Sequence, residues 1–243
     1  MNFASKPLVI GHRGAAGEAP ENTIASFRRA VERQCDMIEL DVHLSRDGVP
    51  VVCHDATIDR TTDGCGAIRD MTVAELRAYD AGVRFGREFA GERIPLLVEA
   101  LELIPPHIEV IIELKHDWNG RLEEHVLRCV RDRDRMRSVL FASFDHRMLY
   151  RLKRTAPEAR IGLVYMAALL DPVKLVRDFG ERVEAVSVCG ALTNRDEIAR
   201  FQAEGWRVIV WTLNKPDEIL QAAEAGADGI VTDVPGLARQ LLG

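Results

Sequence analysis

Eight short apolar runs recur along the chain, separated by amphipathic segments, and this alternation narrows the fold more than any other feature. The runs are LVIG at 8–11, MIELDV at 37–42, EVIIEL at 109–114, SVLFA at 138–142, RIGLV at 160–164, EAVSV at 184–188, RVIVWT at 207–212 and GIVT at 229–232. Their length and β-branched content suit buried strands. Helical patterns are expected over 23–33, 120–132, 145–154, 171–178, 195–204, 216–224 and 235–242. Asn22 or Thr23 can cap the first of these, capping being expected of Asn22 rather than buttressing a site, and Asn194 stands three residues before Glu197 in a capping arrangement. Strand–helix repeats predict a parallel sheet covered by helices. Eight units in 243 residues point to the α/β class and a (β/α)8 TIM barrel, which takes about 250 residues. A doubly wound open sheet is the alternative. No linker or low-complexity tract divides the chain, so residues 1–243 are expected to form one domain.

One region breaks the alternation. After the second strand, DGVPVVCH offers a glycine turn and a small hairpin. TVAE at 72–75 offers a capping box for one short helix. An insertion over about 55–95 is therefore expected. Because it follows a strand, it should lie over the C-terminal mouth of the barrel, the face where such barrels do chemistry.

The net charge of -6 argues against a surface built for nucleic acid or for stable association with anionic membranes. No run of about 18 apolar residues occurs, and the opening MNFASKPLVIGH lacks the pattern of a signal peptide. The five cysteines (Cys35, Cys53, Cys65, Cys129, Cys189) are odd in number and form no C-x-x-C pair. Reduced thiols and a cytoplasmic protein are expected.

Two apolar runs carry charges where apolar side chains should stand. IELDV places Glu39 and Asp41 on one face of a strand, and IELK places Glu113 and Lys115 likewise. In a barrel, Glu39, Asp41 and Glu113 would meet at one end of the axis and resist ionising together. A hard dication resolves the conflict, Mg²⁺ or Ca²⁺ first and Mn²⁺ next, since carboxylate oxygens suit these better than zinc. An ion-pair network built on Lys115 is the competing explanation. GHRGAAGEAPENT at 11–23 sets His12 and Arg13 at the end of the first strand. Arg13 offers a planar fork for phosphate. His12 and His54 titrate near neutrality and can move protons. His43 shares the parity of Asp41; a fourth metal ligand is the alternative, but the side chain is expected to face outward beyond the strand end. His107, His116, His125 and His146 read as surface residues. Together a dication, an arginine, a lysine and two histidines suit a phosphodiester: the cations neutralise the phosphoryl oxygens, one histidine deprotonates the attacking hydroxyl, and the other protonates the leaving alkoxide.

The segments GHRGAAGEAPENT, IELDVHLSRDGVPVVCHDATIDRTTDGCG, IIELK, ASFDH, VWTLN and DGIVTDVP, in that order from Pro7 to Pro235, resemble the glycerophosphodiester phosphodiesterase family. The resemblance implies a (β/α)8 barrel that hydrolyses small-molecule glycerophosphodiesters, such as glycerophosphocholine or glycerophosphoethanolamine, to sn-glycerol 3-phosphate and an alcohol. It implies Glu39, Asp41 and Glu113 as metal ligands, His12 and His54 as the catalytic pair, and Arg13 and Lys115 as phosphate contacts. It also implies Trp211 beside the glycerol moiety. Two other readings differ in class: Lys115 as a Schiff-base lysine, which the neighbouring carboxylates disfavour by keeping it protonated, and a non-catalytic phosphate or metal sensor.

Overall fold

The computed structural model describes residues 6–115 and 120–243. The strands are β1 (Leu8–Gly11), β2 (Met37–Leu44), β3 (Pro50–Val52), β4 (Glu109–Leu114), β5 (Val139–Ser143), β6 (Arg160–Tyr165), β7 (Ala185–Cys189), β8 (Arg207–Trp211) and β9 (Gly229–Thr232). The helices are α1 (Ile24–Glu32), α2 (Val73–Leu76), α3 (Leu97–Leu103), α4 (Leu122–Arg131), α5 (His146–Thr155), α6 (Pro172–Arg177), α7 (Arg195–Ala203), α8 (Pro216–Ala225) and α9 (Pro235–Leu242).

The sheet runs β1-β9-β8-β7-β6-β5-β4-β2, and β1 also pairs with β2. All eight strands are parallel, so the sheet closes into a (β/α)8 barrel, which rules out the open sheet. Parity along each strand sorts side chains between two layers. Ile38, Leu40 and Val42 face the helices, whereas Met37 fills the barrel with Ile10, Ile111, Leu140, Val164, Ile209 and Val231. Glu39 and Asp41 share the parity of Met37, and Glu113 that of Ile111. The register sets Asp41 directly opposite Glu113. An apolar plug thus fills the barrel below, and the carboxylates crown it at the C-terminal ends of the strands.

The hairpin forms as expected. β3 runs antiparallel to β2, with Val42 opposite Val52. Beyond it, Val51, Cys53, Ile58, Ile68, Leu76, Ala81 and Ile94 make a small apolar cluster of their own. The capping box on α2 is present, with Thr72 and Glu75 reciprocally bonded. Helix α3, which completes the crossover to β4, escaped the sequence reading. It is seven residues long and follows directly on the irregular segment. Asn194 caps α7. The cap of α1 is Thr23, whose hydroxyl accepts from the Ser26 N–H, and not Asn22, which is turned to other use. All five cysteines are free thiols. No helix among the described residues is long and apolar enough to cross a membrane.

Candidate active site

The loop after β1 makes a tight reversal. Arg13 and Asn22 adopt left-handed backbone angles, φ 50° and 57°. Gly14, at φ 89°, has no room for a side chain: a Cβ there would stand 2.4 Å from the Ser26 hydroxyl and 2.6 Å from that residue's carbonyl carbon. The turn brings the Arg13 N–H to Glu39 Oε2 at 2.9 Å. It also directs the Arg13 guanidinium between Glu21, at 2.8 Å, and Asp41, at 3.4 Å. Asn22 is buried and donates from Nδ2 to Asp41 Oδ2 at 2.8 Å while its Oδ1 accepts from the Asp41 N–H at 3.3 Å. A side chain that would cap the helix instead holds a carboxylate.

Glu39, Asp41 and Glu113 each offer an oxygen within 4.8 Å of the others. Lys115 reaches Asp41 at 2.8 Å and also bonds Glu113, so the ion pairs of the competing explanation do form. They leave Glu39 out. The only hydrogen bond to its carboxylate among the described residues comes from the backbone N–H of Arg13. Burial, and next the charge of Asp41, push the Glu39 carboxyl up to about 8. Burial and Asp41 also raise Glu113. Burial works against ionised Asp41 as well, but Lys115 and Arg13 outweigh it and hold that carboxyl at about 2. Three inward oxygens, one without a cationic side-chain partner, fit a hard dication by donor chemistry and by unmet charge.

The two histidines stand near this trio on matched supports, His12 close enough to act on Glu39 and His54 on Asp41. His12 bonds Asp233 Oδ1 through Nδ1 at 2.7 Å, and Asp233 is held by Asn214, whose Nδ2 donates to it at 2.6 Å and whose Oδ1 accepts its N–H at 2.8 Å. His54 bonds Asp55 Oδ1 through Nδ1 at 2.7 Å. In both rings Nε2 has no hydrogen-bond partner among the described residues. Burial lowers the proton affinity of His12 most, yet the bond to Asp233 and the charges of Glu39 and Asp233 together outweigh it, and its pKa is raised. For His54 burial prevails over the pull of Asp41, and its pKa is lowered.

Trp211 ends β8 on the inward parity of Ile209 and meets Phe144 edge to face, with ring centroids 5.7 Å apart. Beside the carboxylates opens a cleft of about 610 Å³ lined by Glu113, Lys115, Ser143, Phe144, His146 and Arg147. Two histidine expectations are corrected. His43 does not face outward: its Nε2 donates to the His54 carbonyl at 3.1 Å, tying down the backbone of the catalytic candidate. His146 is not a surface residue: it is half-buried, donates to the Val164 carbonyl at 3.1 Å and stacks edge-on against Tyr165. His107 is exposed and His125 partly so, and His116 lies outside the described residues. The sequence reading missed Asp233, Asn214 and Arg60. A carboxylate directly after the last strand was the available signal for Asp233, since a closed barrel sets that strand beside the first.

Residues 12–237 match the sequence model of the glycerophosphoryl diester phosphodiesterase family. A glycerophosphodiester phosphodiesterase of Caldanaerobacter subterraneus subsp. tengcongensis is 40% identical over 236 residues, covering 95% of both chains. Among solved structures, a phosphodiesterase of Oleispira antarctica in complex with the product sn-glycerol-3-phosphate superposes with a TM-score of 0.90 at 30% identity, covering 97% of this chain and 96% of that one. A glycerophosphodiester phosphodiesterase of Agrobacterium tumefaciens superposes with a TM-score of 0.84 at 30% identity, covering 96% and 99%.

Proposed function

From the premise that the chain belongs to the glycerophosphoryl diester phosphodiesterase family and is an enzyme of that class, we propose a metal-dependent hydrolysis of small glycerophosphodiesters to sn-glycerol 3-phosphate and an alcohol. The observation that carries this reading is one rim bearing three converging carboxylates and two carboxylate-anchored histidines. The product named for the Oleispira structure supports the glycerol side of the substrate.

Glu39, Asp41 and Glu113 would hold the dication, Mg²⁺ or Ca²⁺ with Mn²⁺ as the third candidate, which would supply positive charge to stabilise the phosphoryl group. Arg13 and Lys115 grip the same phosphate; their pairing with Asp41 keeps both protonated and close at hand. One histidine Nε2 takes the proton of the attacking oxygen, either water or the substrate's glycerol 2-hydroxyl. As that oxygen bonds to phosphorus, the bond to the departing alcohol breaks, and the other histidine's Nε2 gives the alkoxide a proton. Where the 2-hydroxyl attacks, the product of this step is a cyclic diester, which water then opens in a second displacement to sn-glycerol 3-phosphate. The lowered affinity of His54 favours it as base, and the raised affinity of His12 favours it as acid. Trp211, braced by Phe144, packs against the glycerol. The segment over 55–95 forms part of the single domain and screens the mouth. Five free thiols support a cytoplasmic setting.

The test incubates the purified protein with glycerophosphocholine, glycerophosphoethanolamine and bis(p-nitrophenyl) phosphate in Mg²⁺, Ca²⁺, Mn²⁺ or EDTA. Release of sn-glycerol 3-phosphate in a cation and none in EDTA is the expected result. Undiminished release in EDTA defeats the metal reading.

A further inference from the structure

The feature that links the two halves of the site is a residue outside them. Arg60, in the segment after β3, grips two carboxylates at once. Its Nε and Nη2 edge bonds Asp55, at 2.7 Å to Oδ2 and 3.2 Å to Oδ1. Its Nη1 and Nη2 end bonds Glu21, at 2.6 Å to Oε2 and 2.8 Å to Oε1. The same carboxylates serve the site. Asp55 Oδ1 accepts from His54 Nδ1, and Glu21 Oε1 accepts from Arg13 Nη1. One planar guanidinium therefore sets the imidazole of His54 and the phosphate fork of Arg13 relative to each other, although they leave different strands. We propose that Arg60 is a positioning residue, which uses its two donor edges to fix the proton-transfer histidine against the phosphate-binding arginine. This rests on the function proposed above for those two residues.

Two physical effects separate in this arrangement. The charge of Arg60 balances Asp55 or Glu21; without it the pair would leave one uncompensated negative charge near an anionic phosphodiester and weaken binding. The two-edged geometry is distinct from the charge. A lysine restores the charge but is a point donor and cannot grip both carboxylates in one plane. Arg60 is itself half-exposed and partly in water, so the loss of its charge alone is expected to be modest. The loss of orientation is not screened.

The experiment compares Arg60→Ala and Arg60→Lys with the wild type in steady-state kinetics on glycerophosphocholine, with thermal melts alongside. Arg60→Ala should raise KM and lower kcat by about tenfold to a hundredfold. Arg60→Lys should recover KM while kcat stays low, and both variants should melt within a few degrees of wild type. A kcat within twofold of wild type in Arg60→Ala, or full recovery of kcat in Arg60→Lys, overturns the proposal. A second readout needs no substrate. In ¹⁵N NMR of the free protein, the His54 ring should show the fixed Nδ1–H tautomer in wild type and drift toward averaged nitrogens in both variants. Unmoved His54 nitrogens overturn the proposal whether or not the protein hydrolyses the diester. A wild type inactive on every diester, with His54 nitrogens that do move, would sink the function and leave the positioning role standing.

Discussion

Asp233 accepts the Nδ1 proton of His12 at 2.7 Å across a separation of 221 residues, because barrel closure sets β9 against β1, with Gly11 opposite Thr232. The bond selects the tautomer that leaves Nε2 available and holds the ring in place. His12 can serve the reaction only while that support stands.

Replacing Asp233 by Asn should lower kcat by about a hundredfold with little change in melting temperature. The direction of the pH effect follows from the causes acting on His12. Burial, the largest influence, opposes its protonation, and the bond to Asp233 overcomes burial only together with the charges of Glu39 and Asp233. Asp233→Asn weakens that bond and removes the Asp233 charge while burial remains, so the His12 pKa falls. The limb of the kcat/KM profile that reports His12 should move to lower pH. A profile that keeps its limbs in place would mean that Asp233 does not govern His12.

The metal site predicts a ligand effect on stability that is independent of turnover. A cation that binds the folded chain alone raises the melting temperature. At about a hundredfold above its Kd the gain is about 3 kcal/mol, or roughly 5–10 °C for a chain of this size. Glu39→Gln should abolish that gain and the activity together. It should not lower the melting temperature of the metal-free protein, because Glu39 has no cationic side-chain partner to lose. Scanning fluorimetry with and without Mg²⁺, Ca²⁺ or Mn²⁺ measures both. Equal gains in wild type and Glu39→Gln would place the ion elsewhere.

Most of the barrel was legible because its strands announce themselves. A buried parallel strand is a short apolar run with no competing pattern, and Glu39, Asp41 and Glu113 stood out by breaking such runs. What escaped was set by contacts between distant segments. Helix α3 is short and lies against the irregular stretch, so neither periodicity nor spacing isolated it. Asn22 has the chemistry of a helix cap, and Thr23 beside it has the same; only the fold decides that Thr23 caps while Asn22 turns to Asp41. Arg60 is unremarkable in sequence, and Asp233 is marked only by its place after the last strand; both acquire meaning from the side chains that closure and the hairpin bring to them. His43 and His146 were misplaced for a related reason: a histidine near a strand end or helix start satisfies itself on a carbonyl that sequence does not locate.

The histidine pair should behave as one device. His12→Ala and His54→Ala are each expected to cut kcat by about 10²–10⁴-fold while circular dichroism and the cation-induced stabilisation stay intact. Because proton removal and proton donation belong to one displacement, the double variant should be little worse than the weaker single one. Strictly multiplicative losses would show that the two act in separate steps. A substrate with a good leaving group, bis(p-nitrophenyl) phosphate, needs less acid assistance. It should therefore suffer less from loss of His12, the proposed acid, than from loss of His54. The reverse order would exchange the two roles.

The opposite end of the barrel predicts a variant that damages stability and spares the chemistry. Arg135 is buried at 5% exposure, just ahead of β5. Its guanidinium donates to the carbonyls of Leu101 at 2.9 Å, Ile104 at 2.7 Å and Ile108 at 3.2 Å. It thereby closes the end of α3 and the approach to β4, whose far end carries Glu113. Arg135→Met keeps comparable bulk but strands three carbonyls that water reaches poorly. A loss of about 3 kcal/mol is expected, roughly 6–12 °C in melting temperature. Below the new melting temperature kcat should stay within twofold of wild type, since the site is built at the other rim. A large fall in kcat at unchanged stability would mean that the crossover through α3 tunes the carboxylates directly, and that the rigid separation of barrel base from catalytic rim does not hold.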